Sequence, residues 1–178
     1  MKPLDTAKKD KLAGYIFYDF ETRVNESGIH EVMLACAKRV CRACLDNDNP
    51  QQCILCNNLF ICETIAEFCR WLFLQKDYIA IAHNGSGFDA QFIKKYTYNN
   101  LEAKDMLPSG IEKSTKIKSF SWRDVKIIDS LAFIPTALKA FPKQFGLKEM
   151  KKGYFPHLFN IKDNKLLGLS VEEYGYVT

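Results

Sequence analysis

The residues best placed to do chemistry in this chain are three acids at the ends of apolar runs. Tyr15-Ile16-Phe17-Tyr18-Asp19-Phe20-Glu21-Thr22 carries two of them, one residue apart. On a β-strand residues i and i+2 share a face, so Asp19 and Glu21 aim together out of an otherwise buried strand. Two carboxylates aimed at one point want a cation. The third acid, Asp89, closes the Asn-Gly turn His83-Asn84-Gly85-Ser86-Gly87-Phe88-Asp89, which follows a second apolar run from Tyr78 to Ala82. Hydrolysis of a phosphodiester must neutralise charge on phosphate and make water nucleophilic near neutral pH. Two divalent cations about 3.5 to 4 Å apart do both. Mg²⁺ prefers carboxylate, phosphate and water oxygens, so the protein's share is a few Asp and Glu side chains at strand ends, and Mn²⁺ suits the same donors. Asp19, Glu21 and Asp89 fit that role jointly; taken singly, each reads equally well as a surface acid capping a strand or helix.

The surrounding residues have two readings each. The Asn84 amide can hold a substrate phosphate or sugar, or bond its own backbone as Asn does in turns. His83 can stack on a base or be a satisfied strand-end histidine. Phe88 and Phe92 stand at helical spacing, the first read as touching a ligand and the second as half core, since aromatic faces stack single-stranded nucleic acid. Ile127-Ile128-Asp129-Ser130-Leu131 puts a phosphate-bonding Ser at a strand end, with Asp129 read as a cap. Lys152, in Lys151-Lys152-Gly153-Tyr154-Phe155-Pro156, would screen negative charge near a metal site, or be solvated like most surface lysines.

Seven cysteines lie between Cys36 and Cys69, an odd count in a chain without a secretory signal, which argues against a disulfide framework. Four of them form Cys41-x-x-Cys44 and Cys53-x-x-Cys56 across an Asp-Asn-Asp-Asn-Pro turn. Two such pairs suit a tetrahedral, structural Zn²⁺ site, with four thiolates leaving no open position for catalysis. The competing reading is reduced cysteines on a flexible insertion.

Elements that position these residues follow from periodicity and turn chemistry. Residues 13–20 read as a buried strand, with Ile29 to Lys38 as its hairpin partner after the Asn-Glu-Ser-Gly turn. Arg39 to Asn58 interrupts the core pattern as a Cys-rich insertion. Thr64-Ile65-Ala66-Glu67 fits a capping box, and Ile65, Phe68 and Leu72 recur at helical spacing. Tyr78 to Ala82 is a short strand, and a helix is expected to start close to Asp89. Lys116 to Trp122 and Val125 to Asp129 read as a second hairpin. Pro135 to Phe145 reads as a short helix that Pro142 would kink or end. This alternation predicts an α/β domain with a mixed central sheet and flanking helices.

With 178 residues, of which 47% are hydrophobic, the chain can bury one substantial core. It contains no run of about 18 apolar residues and no signal h-region, so no membrane partner and an intracellular site are expected. The net charge of +4 is mild, but lysines cluster locally at Lys113, Lys116 and Lys118 and again at Lys139, Lys143, Lys148, Lys151 and Lys152.

Together these motifs resemble the 3′–5′ exonuclease region of protein-primed family B DNA polymerases, and within them those of Polinton or Maverick type elements. Tyr18-Asp19-Phe20-Glu21-Thr22 looks like the first exonuclease motif and His83 to Asp89 like the second. Asp129-Ser130-Leu131 resembles the Ser-Leu motif, and Lys152-Gly153-Tyr154-Phe155 the Lys-x-x-hydrophobic motif. The subgroup is suggested by residues 152–160 and by the C-x-x-C pairs between the first two motifs. The resemblance runs from Tyr15 onward, in the family's order. It implies a ribonuclease H-like fold and proofreading by two Mg²⁺ or Mn²⁺ ions held by Asp19, Glu21 and Asp89. Thr22, His83, Asn84, Phe88, Ser130 and Leu131 would contact the 3′ end of single-stranded DNA, and Lys152 would be the catalytic lysine. The implied partners are a polymerase domain in cis and a terminal priming protein, in the nucleus or cytoplasm where viral or mobile-element DNA replicates.

The expected layout is an extension over residues 1–12 and an exonuclease domain over 13–178 carrying the insertion 39–58. Two departures accompany the resemblance. The third motif, Tyr-x-x-x-Asp, is not completed after Tyr174 and Tyr176, and polymerase palm motifs are absent from this sequence. Two other readings stand beside it: a stand-alone nuclease of the same fold, and a degenerate remnant that binds DNA without cleaving it.

Overall fold

The computed structural model describes residues 12–45, 53–103, 105–113 and 116–147. Lys152, Tyr174, Tyr176 and the acidic turn at residues 46–49 lie outside the described residues. The chain divides into two compact units, residues 1–22 with 32–135, and residues 23–31 with 136–178.

The first unit is built on a seven-stranded sheet. Its strands are β1 (Gly14–Val24), β2 (His30–Cys41), β3 (Leu59–Cys62), β4 (Tyr78–Ala82), β5 (Ser109–Lys113), β6 (Lys116–Trp122) and β7 (Val125–Asp129), in the spatial order β3-β2-β1-β4-β7-β6-β5. β4 runs parallel to both β1 and β7, with Gly14 opposite Tyr78 and Ala82 opposite Asp129. The pairs β2–β3, β5–β6 and β6–β7 are antiparallel. This mixed sheet with its helices is the expected α/β, ribonuclease H-like architecture. The parallel pairs bring the ends of β4 and β7 side by side, where the Asn-Gly turn and Ser130 begin.

Alternation along β1 buries Ile16, Tyr18 and Phe20 and leaves Asp19 exposed on the other face, as period two requires. The buried face packs against α2 (Ile65–Leu72) and α3 (Asp89–Asn99): Phe20 meets the Phe68 ring edge-on at 4.7 Å and Phe92 at 6.5 Å. Helix α2 starts at the expected capping box. The Glu67 N–H donates to Thr64 Oγ1 at 3.2 Å, and the Thr64 hydroxyl donates to Glu67 Oε2 at 3.1 Å.

The structure differs from the sequence expectation at several boundaries. β2 runs on to Cys41, because the Arg39 guanidinium is held by Leu55 O and by Gln75 Oε1 and because Gly14 lets the backbone of Val40 and Cys41 approach. A short helix, α1 (Arg42–Leu45), follows it. β3 and β5 were not expected: one has four residues directly after the Cys-rich insertion, the other is the polar sequence SGIEK, and neighbours decide such short strands more than propensity does. Gly110 is needed in β5, since a Cβ there would meet Ser119 O at 2.6 Å.

In the second unit, the Asn25 side chain organises the tip between β1 and β2 by accepting the N–H groups of Ser27 and Ile29. A 3₁₀ turn at Leu138–Ala140 leads to α4 (Phe141–Phe145). Pro142 sits at the start of α4 and does not kink or end it; its missing N–H costs nothing in a first turn. No helix among the described residues is long and apolar enough to cross a membrane.

Candidate active site

Asp19 and Glu21 stand on one face of β1, the first exposed and the second half-buried. Asp89 stands in the first turn of α3. It is buried, at 6% exposure, and accepts a hydrogen bond from the backbone N–H of Phe20, the residue between the two acids. Burial pushes the Asp89 carboxyl up to about 7, the charge of Asp19 adds to the shift, and the backbone bonds only partly oppose it. A buried acid raised by a neighbouring acid is the electrostatic condition that a bound cation relieves. The same acids surround Tyr18, whose phenol is raised first by burial and then by Asp89, Cys69, Asp129 and Asp19.

The Asn84–Ser86 turn is fixed from β7. Asp129 Oδ1 accepts the N–H groups of Asn84 and Leu131, both at 2.9 Å, and Oδ2 accepts the N–H of Ser86 at 3.1 Å. Asp129 therefore caps the 3₁₀ turn Ser130–Ala132 and ties it to the second motif. Burial works to raise its carboxyl, but the bonds from Leu131, Ser86 and Asn84 outweigh that and hold it below the usual carboxylate range. Asn84 adopts φ 65°, a left-handed conformation that Asn tolerates, and its side chain makes no capping bond. Gly85 is required by close approach, since a Cβ there would meet Ala82 Cβ at 2.7 Å and Asp89 Oδ2 at 3.3 Å.

His83 Nδ1 lies 2.9 Å from Ser130 Oγ, and the Ser130 hydroxyl donates to Ala82 O at 3.2 Å. A carbonyl only accepts, so the serine proton is committed there and His83 donates through Nδ1. Phe88 is exposed and meets the Phe92 ring edge-on at 5.3 Å, while Phe92 is half-buried. Thr22 and Leu131 are half-buried near the ends of β1 and β7.

Two residues escaped the sequence reading. Gly85 was read only as turn punctuation. Cys36, on β2, lies beside the acid pair: burial first, with the charges of Asp19 and Glu21 adding to it, raises its thiol to about 11. The alternation Ala35-Cys36-Ala37 along β2 was the available signal.

The sulfur atoms of Cys41, Cys44, Cys53 and Cys56 all lie within 4.8 Å of one another. Among the described residues this is the one set of three or more candidate ligand atoms gathered that closely, and Asp19, Glu21 and Asp89 do not form another. Cys41 Sγ is 3.5 Å from Cys44 Sγ and 3.8 Å from Cys53 Sγ. A tetrahedron with metal–sulfur bonds of about 2.3 Å has edges of about 3.8 Å, so the donor set fits zinc. All seven cysteines are free thiols.

The backbone matches solved structures of phi29 DNA polymerase. Phi29 DNA polymerase complexed with primer-template DNA aligns with a TM-score of 0.61 at 17% identity, over 92% of this chain and 28% of that one. Its orthorhombic crystal form gives 0.61 at 20% identity, with the same coverage of 92% and 28%. The complex with single-stranded DNA gives 0.60 at 17%, again over 92% and 28%. The chain thus spans about 28% of the length of these polymerases. No curated protein sequence matches. The class defined by this fold and these motifs is that of a family B DNA polymerase region. Residues 69–178, more than half of the chain, match the family model for DNA polymerase type B, organellar and viral, and the chain belongs to that family.

Proposed function

We propose that this chain is the 3′–5′ exonuclease portion of a protein-primed family B DNA polymerase, removing nucleotides from the 3′ end of single-stranded DNA. One observation supports the reading: the buried Asp89 carboxyl, in the first turn of α3, is bonded by the Phe20 backbone and raised by the charge of Asp19, so acids on α3 and β1 act on one another. The phi29 structures, solved with primer-template and with single-stranded DNA, support DNA as the ligand.

In this reading Asp19, Glu21 and Asp89 hold two Mg²⁺ or Mn²⁺ ions, which supply charge neutralisation and an activated water. The chain's own residues do the rest. Asn84, on its left-handed turn, and Ser130, locked by Ala82 O, engage phosphate and sugar of the terminal nucleotide. His83 and Phe88 contact the terminal bases, and Thr22 and Leu131 line the approach. Lys152 offsets negative charge at the scissile phosphate. Residues 13–178 make up this exonuclease portion, with the Cys-rich insertion 39–58 holding a structural Zn²⁺ through Cys41, Cys44, Cys53 and Cys56. A polymerase domain in cis and a terminal priming protein are its partners, where viral or mobile-element DNA replicates.

The test is incubation of 5′-labelled single-stranded DNA with the protein and Mn²⁺ or Mg²⁺. Stepwise shortening that requires the metal is expected. Retardation of the DNA in a gel without any shortening would overturn the reading in favour of a DNA-binding remnant.

A further inference from the structure

The cysteine cluster sits at a defined place in the sheet. Cys41 is the last residue of β2, and Cys44 lies in α1 just after it. Cys53 and Cys56 form the turn before β3, closed by the Cys56 and Asn57 N–H groups on Cys53 O at 3.0 and 2.9 Å. The Cys41 N–H donates to Cys56 Sγ at 3.0 Å, the kind of bond that stabilises a thiolate ligand. Around this knot, Arg42 N–H donates to Ala13 O at 2.8 Å, and Ala13 N–H to Asp77 O at 2.8 Å. A Cβ on Gly14 would meet Val40 O at 2.2 Å and Cys41 Cα at 2.8 Å. Lys38 Nζ and Arg39 Nε bond the carbonyls of Asn57 and Leu55 at 2.9 and 3.1 Å. Tyr78, the first residue of β4, stands opposite Gly14, and its ring would lie 2.9 Å from the same Cβ.

These contacts place the cluster where β1 and β4 begin. Asp19 is five residues along β1 from Gly14, about 17 Å at strand rise. The cluster therefore cannot share a ligand with the acids, but it does hold the origin of the strand that carries them.

We infer that the tetrathiolate site is a zinc clasp that fastens the end of β2 and α1 to the turn before β3, beside the starts of β1 and β4 and apart from the acids. This rests on the reading above that the four cysteines hold zinc. The clasp joins Cys44 to Cys53 across eight intervening residues. The turn before β3 is then cross-linked to the end of β2 and α1 instead of relying on β3, a four-residue edge strand.

The experiment uses the whole chain, purified reduced. Elemental analysis should find one zinc per chain, and Co²⁺ exchange should give the thiolate-to-cobalt absorption of four sulfur ligands. Absence of both would remove the zinc reading itself. With zinc bound, stripping it with a chelator, or Cys44→Ser, should lower Tm by roughly 10 °C, the scale of losing a cross-link. Below the new Tm, the Mn²⁺ concentration giving half-maximal shortening of single-stranded DNA should stay within twofold. Zinc that leaves with no change in Tm would refute the clasp while leaving the metal site standing. A large rise in the Mn²⁺ requirement of still-folded protein would also refute it, because the cluster would then serve the acids directly. If Cys44→Ser does not fold, chelation of the wild-type chain with re-addition of Zn²⁺ decides the same question by recovery of Tm.

Discussion

The carboxylate of Asp129 accepts the backbone N–H of Asn84 at 2.9 Å across 45 positions of sequence, joining the end of β7 to the turn that delivers Asp89. Removing it in Asp129→Ala leaves three buried or half-buried N–H groups, those of Asn84, Ser86 and Leu131, without their acceptor. A loss of about 2–4 kcal/mol is expected, with a fall in any cleavage rate as the turn loosens. Thermal melts and the single-strand assay check both. Asp129→Asn, which keeps one acceptor oxygen, should lose less.

The same carboxylate sets a pH dependence. Its folded value lies below that of an ordinary aspartate, so the folded state favours the ionised form. The stability it contributes is complete above the unfolded value and is lost as pH falls through the folded one. The Tm gap between wild type and Asp129→Asn should therefore be constant from pH 5 upward and close below about pH 4. A gap unchanged at pH 3 would contradict the assignment.

Asp19→Ala combined with Glu21→Ala should abolish metal-dependent cleavage and leave the melting temperature nearly unchanged, because Asp19 is exposed and Glu21 only half-buried. Retained cleavage would refute the assignment of these acids.

Asp89 carries the opposite cost. Its carboxyl is raised to about 7, so its ionisation opposes folding, fully above pH 7 and not at all below about 4. In metal-free protein at pH 8, Asp89→Asn should raise Tm, by roughly 2–4 °C for each kcal/mol relieved, while eliminating cleavage. A lower Tm would show that the charge is already balanced.

Gly85→Ala tests close approach without touching a charge. The new methyl would lie 2.7 Å from Ala82 Cβ and 3.3 Å from Asp89 Oδ2. A loss of about 1–3 kcal/mol is expected, with cleavage reduced beyond what the melt explains. Gly87→Ala, with nothing within 4 Å, is the control and should be neutral in packing.

Much of this was legible along the chain. The period-two pattern of β1 set Asp19 and Glu21 on one face, and the capping box located the start of α2, because both signals are local and strong. The spacing of Cys41-x-x-Cys44 and Cys53-x-x-Cys56 pointed to the cluster that their four sulfur atoms form. Tertiary structure decided what spacing cannot carry. Parallel pairing of β1, β4 and β7 set Asp89 against Phe20 and His83 against Ser130, contacts made between segments far apart in sequence. It gave Asp129 its partners on the Asn84 turn and made Gly85 indispensable, since both depend on which backbone lies opposite. It turned SGIEK into an edge strand because β6 offered it a ladder. Residue type and local period are written in the chain itself, whereas burial, charge proximity and register exist only once distant segments meet.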